Sequence, residues 1–84
     1  RLHGHGGRLL RLLREVIGGW LRHQRSRAGL TLSAAARGAH VTTGRLRALE
    51  LGRGDLGVAE LASLVRLYGS TSRATMALVR SLAT

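Results

Sequence analysis

The sequence predicts a single all-α domain. Two observations support the fold class, and a third supports the number of domains. Apolar residues recur at steps of three and four rather than in alternation. Proline is absent, and glycines follow several of the apolar segments, where they can end helices. The 84 residues are enough for one domain and not for two. We therefore expect a compact five-helix domain over residues 8–84, with an extra N-terminal helical segment, preceded by a flexible glycine-rich segment over residues 1–7.

The N-terminal third carries an apolar face at helical spacing. The glycine pair Gly18-Gly19 is expected to divide it into a lead-in helix and a first helix proper, which should end near Arg27 with Gly29 as its stop. Because Trp20 lies on the apolar face, core burial is favoured over stacking on a nucleotide. The face that we expect to meet the core consists of Leu9, Leu10, Leu13, Val16, Ile17, Trp20 and Leu21.

Two short capped helices are predicted in the middle of the chain. Thr31 is a candidate N-cap for an alanine-rich helix that ends near Ala39. His40 falls at the turn, where its backbone is expected to be left-handed. Thr42 is the next N-cap, for a helix that runs to Leu51 with Leu46 and Leu49 facing inward. Residues 31–52 thus read as a helix-turn-helix core.

The C-terminal third is predicted to hold two more helices. Gly52-Arg53-Gly54 should end the helix that Thr42 caps, and Gly69 should end the fourth helix. A cap within residues 70–72 would start the fifth. The apolar stripes of these two helices are expected to be Val58, Leu61, Leu64, Val65 and Tyr68, and then Leu78, Val79 and Leu82.

Charge is distributed unevenly along the chain. Fourteen basic residues, all arginine, face four acids, for a net charge of +10. Eleven arginines and two acids lie in residues 1–53, against three and two in residues 54–84. The basic half is therefore suited to a polyanion, although a basic surface can also serve solubility alone. The N-terminal amphipathic stretch could also lie on an anionic membrane, but the helix-turn-helix pattern that follows it favours nucleic acid.

The second helix of the pair is the predicted recognition helix. A short turn makes this helix project, so residues 42–51 would enter the major groove of double-stranded DNA. Base contacts are expected from Thr43, Arg45 and Arg47, whereas Gly44 can form few hydrogen bonds with bases. Backbone amides near Thr31 and Thr42, together with flanking arginines such as Arg53, would hold phosphates.

These residues resemble the lambda-repressor-like, or Xre-type, helix-turn-helix family over about residues 17–69. The resemblance is carried by Ala28 to Thr31, Ala35-Ala36, Val41-Thr42, Leu46, and Leu49 to Gly52, and the downstream helix is similar to the actinobacterial branch. It implies a bacterial, cytoplasmic and nucleoid-associated transcription regulator, usually dimeric, that often carries a further C-terminal domain. Leu32 stands where the family usually has a phosphate-contacting glutamine.

An ion pair between Arg25 and Glu50 is also predicted. Glu50 is one of two acids in the basic half and adjoins the inward-facing Leu49, where an unpaired charge would be costly. The resemblance implies the same pair. It would join the first helix to the recognition helix.

Other activities find little support in the sequence. No carboxylate is placed by motif to orient a histidine base, so we expect no enzyme. We expect no cofactor, and no metal site either, because cysteine is absent, only four acids are present, and the one close histidine pair, His3 and His5, lies in the flexible N-terminal segment. The alternative function is a helix-turn-helix fold used as a protein-interaction or antitoxin-like module. The predicted fifth helix, residues 71–82, should mostly close the core and otherwise support a weak homodimer.

Overall fold

The computed structural model describes residues 2–55 and 57–83, with side chains described for 7–55, 57–73, 77 and 81. Every regular element in this part of the chain is an α-helix, which confirms the all-α class. The four helices are α1 (Leu2–Arg27), α2 (Leu32–Gly38), α3 (Thr43–Glu50) and α4 (Val58–Ala83). The prediction of five helices is therefore wrong.

Two expected helix breaks are absent. Gly18 and Gly19 lie inside α1, which runs unbroken through them, and Gly69 to Ser72 lie inside α4. A glycine inside a helix costs only about 1 kcal/mol relative to alanine, which neighbouring turns and packing can offset when no proline is present. The lead-in helix is thus part of α1, and the predicted fourth and fifth helices are one.

The shape also differs from the compact domain expected. The molecule measures 60 × 23 × 17 Å, because α1 and α4 each have 26 residues and so are about 39 Å long. α1 begins at Leu2. The division into a flexible segment 1–7 and a domain 8–84 stays a prediction.

The core lies where all four helices meet. Leu21 of α1 and Leu46 of α3 are completely buried, as is Leu64 of α4. The alanines of α2 let it approach closely, since Ala35 and Ala36 are buried in the same cluster. The rest of the buried cluster consists of Ala28, Ala39, Leu49 and Tyr68.

Several residues predicted for the core are exposed. Trp20 is 45% exposed and Val16 is 68% exposed, so the prediction that they are buried is wrong. Of the predicted α1 face, only Leu21 is buried, and Ile17 packs partly against the core. On α4, Val58 and Val65 are also exposed, whereas Leu64 and Tyr68 are buried as expected. The side chains of Leu78, Val79 and Leu82 lie outside those that the structure describes.

The local signals for turns and caps are confirmed. Thr31 Oγ1 accepts a hydrogen bond from the Ala34 backbone N at 3.1 Å, and Thr42 Oγ1 accepts one from Arg45 N at 3.1 Å. His40 has φ +60°, the left-handed conformation expected at the turn. Gly29, with φ +71°, follows the end of α1. These residues mark where α1 ends, where α2 begins and ends, and where α3 begins.

Candidate nucleic-acid interface

The candidate interface is built on α3, which is anchored from its inner side. Leu46 and Leu49 point into the core, with 0% and 2% of their surface exposed. The turn from α2 to α3 is closed by a hydrogen bond from Val41 N to Ala36 O at 2.9 Å. Since the inner side of α3 is covered, its opposite side must face solvent.

The exposed side of α3, together with its N-cap, carries half of the predicted contact residues. Thr42, Thr43, Gly44 and Arg47 are all exposed, and they occupy its first two turns. Thr31 and Arg53 are also exposed, whereas Leu32 is half-buried and packs against the core. The structure thus brings Thr43, Gly44 and Arg47 onto one accessible surface of α3, next to the N-cap Thr42.

An ion pair between Arg25 and Glu50 holds the C-terminal end of α3 against α1, as predicted from the sequence. Arg25 Nε donates to Glu50 Oε2 at 2.7 Å, and Arg25 Nη2 donates to Oε1 at 3.0 Å. Arg25 Nη1 also donates to the backbone oxygen of Leu30 at 3.1 Å. The hydrogen bonds to Glu50 raise the pKa of Arg25, although burial works in the opposite direction. Only 6% of the Glu50 side chain is exposed, so the pair is largely shielded from water.

A second ion pair, which the sequence analysis missed, holds the other end of α3 to α4. Arg45 Nε donates to Glu60 Oε2 at 2.9 Å, and Arg45 Nη2 donates to Oε1 at 2.7 Å. Arg45 Nη2 also donates to the backbone oxygen of Asp55. The hydrogen bonds from Arg45 lower the pKa of Glu60. Arg45, which was predicted to contact bases, is therefore already bound within the molecule. The sequence indicated its partner only through the small number of acids after residue 53, Asp55 and Glu60.

A glycine at the middle of α1 sets how closely α3 approaches. A Cβ on Gly18 would lie 2.5 Å from the Leu49 carbonyl oxygen and 2.7 Å from that of Glu50. Only glycine leaves room for this contact between a helix and the carbonyl end of another. The residue that was expected to break the helix is instead a packing contact that positions α3.

Tyr68 lies under the Arg25–Glu50 pair in the core. Its side chain is 1% exposed, and its hydroxyl has no protein hydrogen-bond partner. Burial raises the pKa of Tyr68 to about 12, and the negative charge of Glu50 adds to this while Arg25 opposes it. Tyr68 is therefore a neutral core residue, as its apolar-face position predicted.

Beside α3 lies a cavity of about 270 Å³ with a basic lining. Arg22 and Arg47 are exposed at this cavity, while Arg25 is bound to Glu50. The full lining is Arg22, Arg25, Leu32, Arg47, Glu50 and Leu51. Arginine guanidinium groups bind oxyanions such as phosphate through pairs of N–H donors. The surface of α3 and this cavity thus combine exposed small polar residues with positive charge.

Comparison with known proteins identifies a family. A family model described as a helix-turn-helix domain matches residues 16–79, about three quarters of the chain. The chain belongs to the helix-turn-helix domain family. The matched range of this helix-turn-helix domain begins in the middle of α1 and contains α2, α3 and most of α4. No curated protein and no solved structure matched.

Two further observations describe this helix-turn-helix domain. Among the described residues, no helix is long and apolar enough to cross a membrane. The same residues contain no group of three or more side chains arranged to bind a metal ion.

Proposed function

We propose that this helix-turn-helix domain binds double-stranded DNA by placing α3 in the major groove, and that it is the DNA-binding domain of a transcription regulator. The observation that carries the proposal is the outer side of α3. Thr43, Gly44 and Arg47 are exposed on a helix whose inner side is buried and whose two ends are fixed by ion pairs. A rigid exposed helix of this kind fits the major groove of B-DNA.

The structure supports a division of roles among the arginines. We assign base contact to Arg47, which is exposed beside the basic cavity. Arg22 and Arg53 are exposed and suited to phosphate. Arg45 is proposed as a positioning residue, because the carboxylate of Glu60 and the carbonyl of Asp55 take up three of its donors.

Binding by this surface would be strongly electrostatic. The net charge of +10 favours any polyanion, and each neutralised phosphate adds about 0.9 to the slope of log affinity against log salt. Few side chains on α3 can distinguish bases, since Gly44 and Ala48 offer no side-chain hydrogen bonds. Modest sequence preference with steep salt dependence is therefore the expected signature. The Xre-type and actinobacterial assignment, the bacterial cytoplasmic location and the dimeric state belong to this proposal as well.

The test is a fluorescence-anisotropy titration at several salt concentrations. A duplex selected from a random library is compared with a scrambled duplex of the same length and composition. Arg53→Ala should weaken binding to both duplexes and reduce the salt slope by about one unit. Arg47→Ala should mainly reduce the preference between them, because one arginine–guanine contact discriminates by about 1–3 kcal/mol.

Arg66→Ala is the matched control. Arg66 is also exposed, but it lies in a cavity with Gly38 and His40, at the opposite end of α2 from the basic cavity that Leu32 lines. Arg66→Ala should leave the preference between the duplexes unchanged, and it should reduce the salt slope by less than Arg53→Ala does. An equal effect of Arg66→Ala would contradict the α3 surface as the binding site. If the unmutated domain bound neither duplex at low salt, the interaction-module function would replace DNA binding.

A further inference from the structure

The middle of α1, from Leu9 to Trp20, presents an apolar stripe to solvent. The stripe is defined by Leu9, Leu13, Val16 and Trp20, which are 60%, 48%, 68% and 45% exposed. Their spacing of four, three and four residues is the a/d spacing of helices that pair along their length. Large apolar residues that are exposed together in this way mark an interaction surface.

The stripe points away from the rest of the molecule. Gly18, which contacts α3, is two residues from both Val16 and Trp20, and is therefore about 200° from each around the helix axis. Every described side chain from residue 7 to residue 13 is exposed. A partner on the stripe would thus contact mainly α1 and leave the exposed side of α3 accessible.

Charge indicates what can cover the stripe. Arg8, Arg11 and Arg22 lie around the far side of α1, and Arg14 is bound to Asp55 at 2.7 Å. The positions immediately beside the stripe are uncharged: Leu10, Leu12, Ile17 and Gly19. Over residues 9–20, an identical α1 could therefore pack on the stripe without burying a charge, and Arg27, which continues the line of the stripe seven residues after Trp20, would lie beyond the end of this contact. The arginines would remain in water on the outer side of each helix.

The available area is that of a small dimer interface. Leu10 and Leu12 are also about half exposed, at 49% and 58%. With the stripe, they would let two copies bury on the order of 1,000 Å² in total, close to the lower limit of about 1,200 Å² for specific interfaces. A groove of about 330 Å³ beside the stripe, lined in part by Leu10, Leu13 and Ile17, offers space for a side chain of the second copy.

We propose that the occupant is a second copy of this chain, and that the domain forms a homodimer through α1-to-α1 pairing along the stripe. This places the two-fold contact on α1. It deepens the proposed function, which includes a dimer, but it needs no contact from α3, so dimerisation and DNA binding can each fail without the other.

Sedimentation equilibrium of the full chain without DNA tests the dimer. The unmutated chain should form a reversible dimer, and Val16→Glu should weaken it by about tenfold or more, because pairing would bury the new charge. Val58→Glu is the matched control, since Val58 is 84% exposed at the start of α4 and lies off the stripe. It should leave the dimer intact. Circular dichroism would verify that both variants keep their helix content.

A cross-linking experiment gives a second measurement. The chain contains no cysteine, so Val16→Cys and Val58→Cys each introduce a single thiol. A short bismaleimide linker should join two copies of Val16→Cys and leave Val58→Cys mainly uncrosslinked. The proposal would be overturned by a strictly monomeric unmutated chain, by equal weakening in Val58→Glu, or by equal cross-linking at the two positions. A monomer that binds anionic vesicles through the stripe would likewise overturn it, in favour of a membrane surface.

Discussion

Both sides of α1 carry large apolar residues, but their surroundings differ. One side places Gly18, Leu21 and Arg25 against α3 and the core, and Leu21 is completely buried there. The other side leaves the apolar stripe in water. Apolar content therefore does not decide which side is covered. The covered side is the one on which a glycine permits close approach and an arginine meets a carboxylate from α3.

The largest expected difference in the free energy of unfolding is between alanine substitutions of one leucine on each side of α1. Leu21→Ala should lower the free energy of unfolding by about 2–5 kcal/mol, because it leaves a cavity among fully buried residues. Leu13→Ala should change it by no more than about 0.5 kcal/mol in the monomer, since Leu13 is 48% exposed. Urea denaturation at a concentration low enough to keep the chain monomeric measures both. Equal losses would mean that the stripe is also packed in solution.

The two neighbouring glycines give a closer comparison. Gly18→Ala should destabilise the domain by about 1–3 kcal/mol, because its Cβ would overlap the Leu49 and Glu50 carbonyl groups. A Cβ on Gly19 would meet nothing within 4 Å. Gly19→Ala should therefore stabilise α1 by up to about 1 kcal/mol, because alanine has the higher helix propensity. Thermal unfolding followed by circular dichroism should show opposite shifts of the melting temperature. A stabilising Gly18→Ala would show that α1 does not need this close approach.

The smallest expected difference in the free energy of unfolding is between variants that remove one or the other of the two ion pairs at the ends of α3. Glu50→Gln should cost about 1–2 kcal/mol of unfolding free energy, because Glu50 is 6% exposed and Arg25 loses its charged partner. Glu60→Gln should cost distinctly less, because the Arg45–Glu60 pair is more open to solvent. Denaturation of both variants at low and high salt measures this difference. It would be contradicted if Glu60→Gln proved the more costly of the two.

The helix-turn-helix core could be predicted because its signals are local. Thr31 and Thr42 each cap the helix that follows them, and His40 takes the left-handed turn conformation. A capping hydroxyl needs only a backbone N–H three residues away, so the sequence alone locates the start of each helix. Glu50 could be paired with Arg25 because few acids are available and because the family resemblance implied the pair.

The length of the outer helices could not be predicted from such signals. Gly18-Gly19 and Gly69 look like helix ends, yet α1 and α4 continue through them. A glycine shifts the local balance by only about 1 kcal/mol, and tertiary contacts of comparable size can reverse it. Gly18 lies inside a continuous helix because its contact with α3 leaves no room for a Cβ. The glycine there is required for packing and does not mark a helix end.

The sequence by itself determined the helical class, the caps, the turn, the strong positive charge and the inward leucines of α3. Each depends on spacing along the chain or on composition, which folding does not alter. Only the tertiary structure decided that Arg45 is bound to Glu60 and that the apolar side of α1 is left uncovered. Those outcomes depend on which residues, distant in sequence, meet when α1 and α4 pack against α3.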